Sequence, residues 1–233
     1  MGFVVLPALV PDISAVYDVY FAAFKDNAVT KALFPSATAA DMTDSGSAFR
    51  KAHTAHTQQY WPTDATQYTL KCVDSQTGQI VGMALWDIYL TTSQWRRGDI
   101  SWLSGHQREH AEALISPLWH AREKLWLHQK YIYCHVVAVY PHHQRKGIGK
   151  LLMEFGMRVA RQVSLPIYIE SSPQAITLYE KLGCRRVKQP AKDKPTNASP
   201  QRTDSTLGNH ELALYVWMPN DDKTKLPHAV ELA

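Results

Sequence analysis

Hydrophobic and polar positions follow two periods along this chain, which together predict a mixture of strands and helices. Short apolar runs typical of strands occupy residues 3–6, 68–73, 80–89, 136–139, 167–170, 186–187 and 211–218. Apolar residues at helical spacing occupy residues 13–24, 114–125, 148–163 and 175–182, and a more polar helical region covers 39–60. Gly78 separates the second and third strands, which predicts a hairpin.

The turn between the strand at residues 136–139 and the next helix is rich in glycine and in cations. The first helical N–H groups lack backbone partners and carry partial positive charge. Gly147 and Gly149 would let phosphate groups approach that backbone closely. Three cations stand at the same place: Arg145, Lys146 and Lys150. The pattern predicts a pyrophosphate-binding turn, and the alternative is an ordinary strand-to-helix turn on a basic surface.

Two common phosphate motifs do not fit this turn. A Walker-type loop needs a glycine where Gln144 stands and a serine or threonine where Leu151 stands. The dinucleotide fingerprint needs a third glycine, and Leu152 occupies that position.

Two other motifs resemble the GNAT N-acetyltransferase superfamily. The first is Gln-Arg-Lys-Gly-Ile-Gly at residues 144–149, directly after an apolar strand. The second is Glu170-Ser171 at the end of the next strand, followed by Leu-Tyr-Glu-Lys-Leu-Gly at residues 178–183. Within the superfamily this region is most similar to the puromycin-type and other small-amine acetyltransferases. Cys184 departs from the pattern, because the family usually has an aromatic residue there.

The resemblance implies an α/β (α+β) fold with a mixed, splayed sheet of about six to seven strands and helices on both faces. The strands should part near residue 139. We expect one N-acetyltransferase domain over residues 1–233, with a Trp-rich insertion at about 90–130 and a flexible loop at about 188–209. The polar tail after Pro219 is expected to be frayed.

The resemblance also assigns the site for acetyl-CoA. Backbone groups of Val137, Ala138 and Val139 would pair with the pantetheine arm. The pyrophosphate would lie on the turn and helix start formed by Gln144, Arg145, Lys146, Gly147, Ile148, Gly149 and Lys150. Ser172 would either contact the pantetheine arm or act only as a helix N-cap.

The catalytic candidates come from the second motif. Tyr179 matches the family tyrosine that reaches the CoA sulfur and would be the general acid, unless it is a core tyrosine. Glu170 is the candidate general base, unless it is a strand-end carboxylate in water. His135 could act through water, and a chain of waters could replace any single base. Three groups in the insertion could bind or deprotonate an amine: Asp99, Glu109 and His110.

The insertion holds four of the seven tryptophans, Trp95, Trp102, Trp119 and Trp126. They could enclose an acceptor, or they could simply seal the insertion onto the sheet.

Composition limits the expected ligand, the cellular location and the presence of a membrane span or a metal site. The net charge of +4 suits an anionic ligand, but the basic residues form only pairs, so nucleic acid is not expected. The three cysteines are widely spaced and the N-terminus lacks a signal-peptide pattern, which favours a reducing, cytoplasmic location. No apolar run reaches the roughly eighteen residues of a membrane span. The pair His142-His143 lacks a third ligand, so no metal is expected.

The expected function is therefore transfer of an acetyl group from acetyl-CoA to a primary amine, by direct attack in a ternary complex. A small molecule is the first choice of acceptor, and a peptide or protein N-terminus is the second. Two other classes stay open: an acyl-CoA-binding sensor without activity, and an interaction module that uses the Trp-rich surface. The oligomeric state, monomer or homodimer, is also open.

Overall fold

The computed structural model describes residues 2–61, 65–188 and 213–233. Its strands form a single sheet in the order β1-β2-β3-β4-β5-β7-β6. The β4–β5 pair is parallel and the other neighbouring pairs are antiparallel. The strands are β1 (Phe3–Pro7), β2 (Gln67–Asp74), β3 (Ile80–Tyr89), β4 (Tyr131–Val139), β5 (Ile167–Ser171), β6 (Arg185–Arg186) and β7 (Ala213–Trp217).

Helices cover both faces of the sheet, as predicted. They are α1 (Ile13–Phe24), α2 (Ala28–Leu33), α3 (Ala39–Thr43), α4 (Ala48–Tyr60), α5 (Gly105–Trp126), α6 (Ile148–Val163) and α7 (Ile176–Lys181). Helices α6 and α7 pack on one side, which we call the α6 face, with residues such as Trp86 and Cys134. Helices α1 and α5 pack on the opposite α1 face, against alternate residues of the same strands. In the described ranges, no helix is both long and apolar enough to cross a bilayer.

The helical region expected at residues 39–60 is two helices instead of one. The first, α3, ends at Asp44, whose backbone is extended. Ser47 then caps α4 by accepting a hydrogen bond from the N–H of Arg50 at 3.1 Å. Helix α2 was not predicted, and Asn27 caps it in the same way. Capping side chains, which compete locally with helix continuation, therefore divide this polar segment.

The C-terminal segment is packed, so the expectation of a frayed tail was wrong. Val187 forms a β-bridge with Leu232, and the N–H of Lys188 donates to the carbonyl of Glu231 at 2.8 Å. Val230 is buried in the core on the α1 face. Apolar residues in an otherwise polar tail hold it against the sheet. The loop expected at residues 188–209 lies almost wholly outside the described residues.

Gly156 of α6 is the point where this helix comes closest to the sheet. A Cβ atom built on Gly156 would lie 2.3 Å from Cη2 of Trp86, whose indole is buried in the core. A rigid ring in a packed interior cannot give way by that distance without displacing its neighbours. The absence of a side chain at position 156 therefore sets the separation of α6 from β3.

We predict that Gly156→Ala lowers the free energy of unfolding by about 2 kcal/mol, because overpacking outweighs the gain in helix propensity. Urea unfolding followed by circular dichroism measures this change. Gly98→Ala is the control, since its new Cβ would have only an ordinary contact, 3.9 Å from Trp119. Stabilisation by Gly156→Ala would contradict the close approach.

Candidate active site

An extra residue in β4 forms a bulge beside the point where the sheet opens. The pairing of β4 with β3 skips one residue, so His135 has no partner in β3. On the other side, the pairing of β4 with β5 ends at Cys134 and Ile169. The two strands therefore part from His135 onward, earlier than the expected residue 139. A bulge bends its strand, which accounts for the earlier opening.

The part of β4 beyond the bulge has a free backbone edge. The N–H of Tyr140 donates to the carbonyl of Val81 in β3 at 3.0 Å. Because antiparallel residues alternate between hydrogen-bonded and non-bonded pairs, Ala138 also directs its polar groups toward β3. Val137 and Val139 direct theirs to the opening. Of the three residues expected to hold a pantetheine arm, Val137 offers both backbone groups and Val139 offers its N–H, since the Val139 carbonyl accepts from the amide of Gln144.

The turn after β4 reaches the start of α6 through an uncommon backbone conformation. Arg145 and Gly147 adopt the left-handed backbone region, with φ of 64° and 88°, and α6 begins at Ile148. No N–H from Arg145 to Lys150 donates to an acceptor in the described parts of the chain. A concave run of free N–H groups at a helix start is an anion-binding arrangement.

The side chains around this turn complement an anion and leave access to it. Gln144, Arg145 and Lys146 are exposed, and the amide of Gln144 donates to the carbonyl of Val139 at 3.2 Å. Lys150 is exposed and lies 3.7 Å from Glu154. A Cβ on Gly149 would come within 3.2 Å of Leu178, so the helix start also packs closely on α7.

Tyr179 reaches the point where the strands part, from the α6 face. It is buried in the same core as Cys134, the last β4 residue paired with β5. Burial, with Cys134 and Cys184 beside it, raises the pKa of Tyr179 well above its ordinary value. The phenol is therefore a protonated donor. Cys184, the departure from the family pattern, is buried next to it.

Glu170 lies on the opposite side of the sheet from Tyr179 and is not a water-exposed carboxylate. It is half-buried, and the hydroxyl of Tyr133 donates to its Oε2 at 2.7 Å. Its Oε1 is buried and has no hydrogen-bond partner among the described residues. Burial raises the pKa of Glu170 above its ordinary value, although the hydrogen bond from Tyr133 lowers it. A raised carboxyl pKa suits a group that exchanges protons near neutral pH.

Next to Glu170, the inserted helix α5 adds a cation that was not predicted. Arg122 is only 4 % exposed, and its Nη2 lies 3.2 Å from Oδ2 of Asp87 in β3. We call the following residues the Arg122 cluster: Asp87, Tyr89, Trp95, Arg122, Tyr131 and Tyr133. Each of its other members contacts the guanidinium through a hydrogen bond or a ring face. A charged residue inside an apolar pattern was the available signal for both Asp87 and Arg122.

His135, on the bulge, joins this cluster to the solvent. Its Nδ1 lies 3.8 Å from Oδ2 of Asp87, and 44 % of its side chain is exposed. Burial tends to raise the pKa of Asp87, but His135 and Arg122 hold it below its ordinary value. His135 is therefore a solvent-facing side chain next to a buried carboxylate, not a core histidine.

The other predicted groups contribute less to this site. Ser172 occupies the N-cap position of a 3-10 turn with Pro173 at its first position, as predicted, but its hydroxyl makes no capping hydrogen bond. The three polar candidates in the insertion are all exposed: Asp99, Glu109 and His110. The tryptophans of the insertion do not share one role: Trp126 is buried in the core, whereas Trp102 is 59 % exposed.

Comparisons with known proteins agree with this geometry. The chain is 28% identical over 112 residues to the probable acyltransferase SID5 of Ajellomyces capsulatus, covering 47% of this chain and 76% of that protein. A histone acetyltransferase HPA2 and related acetyltransferase from Corynebacterium glutamicum has a similar fold, with a TM-score of 0.53 and 24% identity over 94% of this chain and 97% of that one. The structure of yncA from Salmonella typhimurium with its cofactor acetyl-CoA has a TM-score of 0.50 and 15% identity, covering 96% of this chain and 97% of that one. Residues 38–184, more than half of the chain, match the acetyltransferase (GNAT) family, so this protein is an acyltransferase that belongs to that family.

Proposed function

We propose that this protein transfers an acetyl group from acetyl-CoA to the primary amine of a small molecule, using one catalytic domain. The observation that carries the proposal is the run of free N–H groups from Arg145 to Lys150, which continues directly from the open edge of β4. An extended amide-containing arm and a pyrophosphate are the chemical groups that such an edge and such a turn would hold.

Acetyl-CoA, as the co-substrate, would supply the activated thioester. Backbone groups of Val137 and Val139 would orient its pantetheine amides, and the turn would hold its pyrophosphate. Ser172, at the end of β5, stays a candidate contact for the same arm. The residues needed to bind the donor thus lie along one continuous path from the opening of the sheet to the start of α6.

The two catalytic candidates would divide the proton transfers between them. As the amine nitrogen forms its bond to the acetyl carbon, Glu170 would accept a proton from the nitrogen, directly or through water. As the carbon–sulfur bond breaks, Tyr179 would give its proton to the departing sulfur. Tyr179 is buried in the same core as Cys134, the last β4 residue paired with β5, so it lies beside the opening. The two side chains approach the opening of the sheet from opposite faces.

Packing on the α1 face supports a small acceptor over a peptide. Ala32 of α2 is buried together with Ala111 and Ile115 of α5. The indole N–H of Trp102 also donates to the carbonyl of Leu33 at 2.9 Å. The inserted segment is therefore joined to α2, which restricts an open groove on the face where Glu170 lies.

The decisive experiment is to mix the purified protein with acetyl-CoA and a panel of amines and to follow thiol release and acetylated products. The panel contains small alkylamines, arylalkylamines and free peptide N-termini. Turnover of small amines is the expected result. Preference for peptides would favour the second acceptor class, and acetyl-CoA binding without turnover of any amine would favour the sensor function.

We predict that Gly149→Glu abolishes acetyl-CoA binding, because a carboxylate would occupy the helix start where the pyrophosphate is held. Isothermal titration calorimetry measures this loss. Gly149→Ala is the matched control, since it makes the same 3.2 Å contact with Leu178 without adding charge, and it should bind more tightly than the Glu variant. Unchanged affinity in Gly149→Glu would refute the phosphate assignment.

We also predict that Tyr179→Phe lowers kcat by about a hundredfold while the affinity for acetyl-CoA changes little, because only the proton donor is lost. Steady-state kinetics and calorimetry check the two halves of this prediction. Tyr215→Phe is the control: its ring lies 6.2 Å from that of Tyr179, but its hydroxyl donates to Glu180. Wild-type turnover in Tyr179→Phe would remove this residue from the acid role.

A further inference from the structure

We propose that Arg122 is a positioning residue for the Glu170 carboxylate and that it acts mainly through Tyr133. The inference rests on the proposed function, in which Glu170 accepts the proton of the amine. It gives the inserted helix α5 a part in the chemistry, in addition to its packing against the sheet.

The guanidinium of Arg122 is held from several sides, so its position is well defined. Its Nε donates to the hydroxyl of Tyr131 at 2.9 Å, and its Nη2 donates to Oδ2 of Asp87 at 3.2 Å and to the hydroxyl of Tyr89 at 3.1 Å. Cζ also lies 4.5 Å from the ring centroid of Trp95. A guanidinium with this many directed contacts has little freedom to move.

Tyr133 connects this cation to Glu170. Cζ of Arg122 lies 3.8 Å from the centroid of the Tyr133 ring, within the range of a strong cation–π contact. The hydroxyl of the same ring donates to Oε2 of Glu170 at 2.7 Å. The contact on the ring face fixes the direction of the hydroxyl, and the hydroxyl fixes one carboxylate oxygen. The other oxygen, Oε1, then stays available for a proton.

The charged and titratable groups that act on Glu170 come from three elements. They are Tyr133 and His135 of β4, Tyr168 of β5 and Arg122 of α5. On β7, Glu170 pairs with Leu214, which carries no charge. Burial favours the protonated carboxyl, whereas the Tyr133 hydroxyl and the Arg122 charge favour the carboxylate. A base must be unprotonated to act, so removing either group should move the acid limb of the rate profile to higher pH.

An arginine of the inserted loop, before α5, shows what simple anchoring requires. Arg97 and Glu123 form an exposed ion pair that ties the inserted loop to α5 at the surface. Burying Arg122 costs much more free energy of desolvation than this exposed pair does. Anchoring alone does not need a buried cation on the Tyr133 ring, whereas orientation of a proton acceptor does.

The test compares kcat/KM against pH for the wild type, Arg122→Gln, Arg122→Lys and Tyr133→Phe, with Arg97→Gln as the control on the exposed pair. We expect the midpoint of the acid limb to move about one pH unit higher in Arg122→Gln and in Tyr133→Phe. Arg122→Lys restores the charge and should recover part of the shift, and Arg97→Gln should leave the limb unchanged. The KM for acetyl-CoA should stay within about twofold in all of them. Tyr133→Phe removes a single oxygen, so it keeps the test valid if Arg122→Gln does not fold.

A second measurement separates this proposal from the proposed function. Carbon-13 NMR of labelled glutamate carboxyls, with Glu170→Gln to assign the signal, follows the titration of Glu170 without any substrate. An upward shift of the Glu170 titration in Tyr133→Phe supports the role of Tyr133, and a further shift in Arg122→Gln supports that of Arg122. A titration that is the same in all variants would overturn the proposal even if amines are acetylated. Absence of turnover with a normal shift would instead overturn the proposed function.

Discussion

The separation of β4 from β5 is the constraint on which the rest of this structure depends. Parallel pairing ends at Cys134 and Ile169, and the bulge at His135 turns the remaining part of β4 away. An unpaired strand edge in a sheet is normally unfavourable, because N–H and C=O groups lose their partners. Here the edge leads directly to the free N–H groups of the turn, so both can be satisfied by one extended ligand. The loss of backbone pairing inside the protein thus creates the site proposed for the donor.

The bulge also distributes the chemistry between the two faces of the sheet. Cys134 packs with Tyr179 on the α6 face, while His135 lies on the α1 face beside Asp87. Without the extra residue, alternation would continue and every later side chain of β4 would change face. The face of each β4 residue beyond His135 therefore depends on a single inserted position, whereas α7 and β5 place Tyr179 and the Glu170 carboxylate. The Arg122 cluster then sets the electrostatic environment of that carboxylate, where low polarity strengthens each contact.

Much of the fold and part of the site could be predicted from local sequence patterns. The turn at residues 144–149 and the helix after it are contiguous, so their geometry follows from glycine positions and apolar spacing. The sequence pointed to Glu170 as a candidate base but did not predict its burial. That burial depends on Tyr133, which is distant in sequence. Asp87 and Arg122 were missed for the same reason. Asp87 reads as an isolated charge in an apolar run, and Arg122 as the first of three consecutive charged residues. Only the packing of α5 on the sheet places them 3.2 Å apart.

The sequence by itself determined the order of the strands and of most helices, the glycine-rich turn and the family resemblance, since these depend on residues close together in the chain. Tertiary structure alone decided where β4 and β5 separate, which face each side chain occupies, and how the inserted helix meets the sheet. The physical reason is that register and burial are collective properties. A one-residue bulge changes them along a whole strand, and no local pattern of hydrophobic and polar residues records that change.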